Sequence, residues 1–160
     1  MFILFIFILS ACSHASFKSE SKTAEKSVKG AFEEKAKKPN KKSGNIEFYV
    51  PFGYEIKDKT PNNIILKNGS KTYILFVNPK EDSSSEVVYQ ATIDQYKNWD
   101  AKEKFTGDER FGFLAIKQAE KNLNEVTVGV GGAKMTTQVK TSSMAEEAET
   151  MMQIVRSVQY

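Results

Sequence analysis

From Asn45 onward, apolar and polar positions alternate. Ile46, Phe48 and Val50 are separated by Glu47 and Tyr49, a period of two that predicts a half-buried strand. Pro51-Phe52-Gly53 interrupts it and Tyr54-Glu55-Ile56 resumes it. Residues 62–67 and 71–77, rich in Ile, Leu, Tyr and Val, read as two more strands. Asn68-Gly69 between them predicts a hairpin turn, since both residues tolerate positive φ. Asn68-Gly69-Ser70 also has the form of a glycosylation sequon, but the turn accounts for those residues. The period then lengthens. Ser83 and Glu86 have capping-box spacing, and Val88, Ala91 and Trp99, flanked by Tyr89, Ile93 and Tyr96, predict a helix with a broad apolar face. After a loop at Thr106-Gly107-Asp108, alternation returns over 111–117, and residues 125–130 and 134–141 form a second hairpin around Gly131-Gly132. Ser143 and Glu146 open a last helix. Glu146, Glu147 and Glu149 lie near its positive end, Arg156 near the other, and Met144, Ala148, Met151, Met152, Val155 and Val158 form its stripe.

The order strands, helix, strands, helix predicts an α+β domain over residues 45–160, with a mostly antiparallel sheet and two packed helices. Phe48-Tyr49-Val50-Pro51-Phe52-Gly53-Tyr54 resembles the aromatic, apolar, Pro, x, Gly, aromatic opening of the PsbP-like α/β sandwich, with Tyr54 where that group usually has Trp. Ile154-Val155-Arg156-Ser157-Val158 is similar to the end of its closing helix. The resemblance covers residues 45–160. It implies a domain that binds or scaffolds partners and supplies no shared catalytic residues.

The start of the chain follows another rule. Residues 1–9 are uniformly apolar, too short for a bilayer span of about 20 residues but long enough for the apolar region of an export signal. Leu9-Ser10-Ala11-Cys12 resembles the lipobox of bacterial lipoproteins. That resemblance implies a signal peptide over 1–11, a diacylglyceryl group on the Cys12 thiol, cleavage before it and palmitate-type acylation. It places the protein at the cell membrane, lipid-anchored on the extracytoplasmic face. Lysine outnumbers arginine by 21 to 2, which hints at an AT-rich genome and a bacterium with a single membrane.

Residues 12–44 contain nine lysines against four glutamates, so the net charge of the folded region from Asn45 is −2 while the whole chain carries +3. With Phe17, Val28 and Phe32 as its large apolar residues, this stretch reads as a flexible, disordered basic tether, transiently helical in part. Its lysines are candidates for contact with anionic lipid, at about 1 kcal/mol each near a surface. Export would keep them away from nucleic acid.

Composition removes most chemistry. One Cys excludes an internal disulfide, and His14 is the single imidazole. Glu81, Asp82 and Glu86, or Asp108 and Glu109, lack the alternating oxygens and glycine of a calcium loop and read as solvated charges. Gly129-Val130-Gly131-Gly132 leads into a strand rather than a helix, so it reads as a turn and not a phosphate loop. Tyr89, Tyr96 and Trp99, and the methionines 135, 144, 151 and 152, read as core before ligand surface. The expectation is therefore a non-catalytic binding or assembly module without cofactor or metal. Its partners would be the bilayer through Cys12 and an envelope protein that the sequence does not identify. The alternatives are an envelope hydrolase using two carboxylates, and a secreted protein without lipid.

Overall fold

The computed structural model describes residues 16–160. The expected signal peptide over 1–11, the lipobox-like Leu9-Ser10-Ala11-Cys12 and His14 lie outside the described residues. The elements are α1 (Phe17–Glu33), β1 (Lys41–Ser43), β2 (Ile46–Phe48), β3 (Glu55–Lys59), β4 (Asn63–Asn68), β5 (Lys71–Val77), α2 (Val87–Ile93), β6 (Ala101–Gly107), β7 (Arg110–Glu120), β8 (Leu123–Val130), β9 (Ala133–Lys140) and α3 (Met144–Arg156). Seven strands form one sheet in the order β3-β4-β5-β9-β8-β7-β6, with every neighbouring pair antiparallel. β1 and β2 make a separate hairpin, held to the chain's C-terminal segment by a bridge between Glu47 and Gln159. The α+β class and the antiparallel sheet are as the alternation predicts.

The pleat divides the sheet. Leu66, Tyr73, Leu75, Met135, Val128 and Leu114 point to one face, in one core cluster with α1 and α3. All four methionines of the domain are wholly buried there. Phe111 and Phe113 point to the other face and pack against Val88 and Tyr89 of α2. Two contacts fix this layering through glycines. A Cβ on Gly112 would stand 2.7 Å from the Phe32 ring, and one on Gly129 would stand 2.1 Å from Phe113, so each ring sits against bare backbone.

The flexible basic tether is corrected. Its middle is α1, a 17-residue helix packed against α3 and the sheet. The reason is spacing. Phe17, Ser21, Ala24, Val28, Ala31 and Phe32 recur at i, i+4, i+7, i+11, i+14 and i+15, one face of a helix. A count of large apolar residues overlooks the alanines and Ser21, which are buried because small side chains let two helices approach closely. Ser16 caps the start, its Oγ accepting from Ser19 N–H at 3.2 Å. Lys18, Lys22, Lys26 and Lys29 cover the exposed side. The folded unit therefore begins at the helix, not at Asn45.

Three helices are present among the described residues, not two. The helix expected through Trp99 ends at Ile93, leaving Tyr96 and Trp99 in the following turns. Neither capping box forms. Ser83 Oγ donates to Glu109 O instead, and a 3-10 turn over Thr141–Ser143 leads into α3 with no side-chain cap from Ser143. β6 is an unexpected strand. Its alternating face carries only Ala101 and Phe105 as apolar residues, and Lys102 and Lys104 sit on its other side, a charged edge that resists further pairing.

Among the described residues one charged side chain is buried. The Glu147 carboxylate in the first turn of α3 accepts from Tyr73 Oη at 2.8 Å and pairs with Lys71. The Lys71 end of that pair is partly exposed, so the Tyr73 bond carries more of the cost of disruption. Burial, then hydrogen bonding with Tyr54 and Glu147, pushes the Tyr73 phenol far above its ordinary range, so it stays a donor. Glu147→Ala is expected to lose about 1–3 kcal/mol in urea unfolding because it strands a buried hydroxyl. Glu147→Gln, which keeps an acceptor, is expected to lose less.

Candidate ligand-binding groove

α2 has seven residues, packs through Val88 and Tyr89 on Phe111 and Phe113 of β7, and covers only part of its sheet face. The outward side chains of β5 and β9 are left in a groove of about 430 Å³ between the helix and the sheet. Ile74, Phe76, Val87 and Val88 form its apolar walls. Ile74 of β5 is 43% exposed, on a face where solvent-directed strand residues are ordinarily polar, and Val87 at the start of α2 is 53% exposed. A second depression of about 820 Å³ continues along the sheet and shares Ile74, Glu125 and Thr136 with the groove.

Lys134 lies in the groove wall. Its Nζ donates to Thr92 Oγ1 at 3.0 Å, and that hydroxyl donates to Val88 O at 2.7 Å. Nζ also stands 5.9 Å from the Phe76 ring centroid. Among the described residues Lys134 forms no ion pair within 4.0 Å. Burial pushes the ammonium below the ordinary lysine range, and Glu125 pulls it partly back. At the rim, Tyr96 Oη donates to Glu125 Oε2 at 3.2 Å. Trp99 stands edge-on to Tyr96 with centroids 4.9 Å apart, and its Nε1 donates to Ile93 O at 3.0 Å. The aromatic trio thus divides. Tyr89 is core, packed edge-on against Phe111 and Phe113, while Tyr96 lines the groove and Trp99 backs it.

The other candidates are placed apart. Asp82 accepts from Ser84 N–H and Oγ, which hold its carboxyl below the usual range. Glu86 pairs with Lys104 at 2.9 Å and Asp108 with Arg110 at 2.8 Å. Among the described residues no three acids, histidines or cysteines gather as a metal site. Gly131 and Gly132 form the β8–β9 turn. Their N–H groups donate to Phe111 O and Asp82 O, and a Cβ on Gly131 would stand 2.2 Å from Asp82 O. Glu125 is the one carboxylate lining either depression, so no facing pair is assembled there.

Lys134, Phe76 and Ile74 were not singled out by sequence. One signal exists: Tyr73-Ile74-Leu75-Phe76-Val77 is apolar at every position, whereas a strand with one wet face alternates. No family model matches the sequence, and no match is found among the curated proteins.

Proposed function

We propose that this chain is an extracytoplasmic, membrane-anchored binding module, with lipid on Cys12 and a groove that takes an apolar ligand bearing one anionic group. The observation that carries the ligand class is Lys134: an ammonium set among apolar walls with a hydroxyl, not a carboxylate, as its nearest partner. A half-buried lysine without an acid costs stability, and an incoming carboxylate or phosphate offsets that cost by completing the pair. The lipobox supports the location, and the resemblance to the PsbP-like sandwich supports a binding role over catalysis. Among the described residues no helix is long and apolar enough to cross a membrane.

The test uses dodecanoate below its micellar concentration, with dodecanol as the uncharged control, and reads the emission of Trp99, the single tryptophan. Dodecanoate is expected to change the emission saturably, and Lys134→Met to weaken it by about tenfold or more, as loss of a charge-assisted contact implies. Equal response to the alcohol, or an unchanged response in Lys134→Met, would overturn the ligand class.

The pH dependence follows in sign. The folded pKa of Lys134 is lowered from 10.5, so between that folded value and 10.5 the unfolded chain binds more protons. The burial penalty is present in full below the folded pKa and fades as pH climbs through this window. Dodecanoate affinity is expected to fall through the same window as the ammonium is lost. Lys134→Met is expected to match or exceed the parent in stability at neutral pH while losing the ligand.

A further inference from the structure

We infer that the end of the fold carrying Phe52 rests on the bilayer, with the Phe52 ring inserted among the headgroups as a second, apolar contact beside the lipid on Cys12. The inference rests on the membrane-anchored reading above. Phe52 is fully exposed, at 103% of its reference area. A lone exposed apolar side chain is ordinary. Rigidity and position distinguish this one.

Phe52 occupies the first central position of the turn Pro51–Tyr54, in which Gly53 takes φ +91° and Tyr54 N–H donates to Pro51 O. Both flanks are fixed. The Asn40 side chain bonds Val50 at N and O, at 2.9 and 2.8 Å, and buried Tyr54 packs on Tyr73 with centroids 5.2 Å apart. The ring is therefore presented without local ordering.

The position follows from helix direction. Phe32 at the far end of α1 meets Gly112 and Phe105 by the β6–β7 turn, and its carbonyl accepts from Arg156 Nε at the end of α3. α1 and α3 thus run the same way, and the first turn of α1 lies at the end where α3 starts. Glu147 in the first turn of α3 pairs there with Lys71, next to the Asn68-Gly69 turn. A Cβ on Gly53 would stand 3.4 Å from Asn68 Oδ1, so Phe52 belongs to this same end. Phe17 is the fifth residue after Cys12, a reach of at most about 18 Å. A lipid on Cys12 therefore holds this end nearest the surface. The charges here nearly balance, with Lys18, Lys41, Lys67, Lys71, Lys121 and Lys140 set against Glu20, Glu55, Glu120, Glu146 and Glu147, so the contact is apolar rather than driven by anionic lipid.

The test joins the chain from Cys12 onward, through its one thiol, to a maleimide-headgroup lipid in vesicles. It compares Phe52→Trp with the parent, both retaining Trp99. The introduced indole is expected to emit at shorter wavelength on vesicles and to lose about half its intensity when the acyl chains are brominated, as interfacial burial of 5–10 Å implies. Zwitterionic vesicles and vesicles mixed with anionic lipid are expected to give the same result. An indole as unquenched as in solution, on protein that remains coupled and keeps its far-ultraviolet circular dichroism, overturns the inference. Quenching confined to anionic vesicles also overturns it and favours lysine-driven docking. Because coupling replaces cellular acylation, failure here is distinct from failure of the anchored reading, which is read from the mass of the cell-made protein.

Discussion

Phe32→Ala is expected to lower the unfolding free energy by about 3–5 kcal/mol, a large part of the ~5–15 kcal/mol available to a domain. The ring is 2% exposed, lies on the bare backbone of Gly112 and stands 5.9 Å from the Phe105 ring. Neither neighbour can close the gap, because Gly112 has no side chain and Phe105 belongs to a strand held along its length by β7. The loss thus includes a residual cavity as well as the transferred area. The Phe32 carbonyl, which accepts from Arg156 Nε at the end of α3, is kept by the substitution, so the loss reports the ring and not this bond. Urea denaturation followed by circular dichroism measures the effect. A flexible tether predicts no measurable change, and so does any fold that begins at Asn45.

The second large effect concerns Cys12. Two acyl chains of ordinary length, at about 0.8 kcal/mol per buried methylene, supply roughly 20 kcal/mol of membrane affinity, where one chain gives only marginal binding. Cys12→Ala is expected to abolish incorporation of labelled palmitate and to move the protein out of the detergent-rich phase on partition. Equal labelling of parent and variant would contradict acylation at this thiol. Because α1 starts five residues later, acylation here would fix more than location: it would leave the domain no long spacer and set its distance from lipid by a few peptide units.

The alternation in residues 45–160 made most of the sheet legible, because buried strands leave a period of two and both glycine-containing hairpins mark their own turns. Asn68 does pair with Lys71 and Val130 with Ala133. What escaped was set by context. β6 is a charged edge strand whose place is determined by its pairing with β7, and α1 uses alanines and Ser21 as interface residues, which composition counts as linker. Capping-box spacing at Ser83 and Ser143 was misleading because serine bonded elsewhere or left its helix to a 3-10 entry. The groove was hidden for a different reason. Lys134 reads as a solvent-facing strand residue, and only the short length of α2 turns that position into a half-covered wall.

The most direct test of the anchored account is the intact mass of the protein extracted from the membranes of the cells that make it. The account predicts a chain starting at Cys12, lighter by residues 1–11 and heavier by a diacylglyceryl group at that cysteine. A chain with residues 1–11 still attached, or one cut elsewhere with a bare Cys12 thiol, would contradict it.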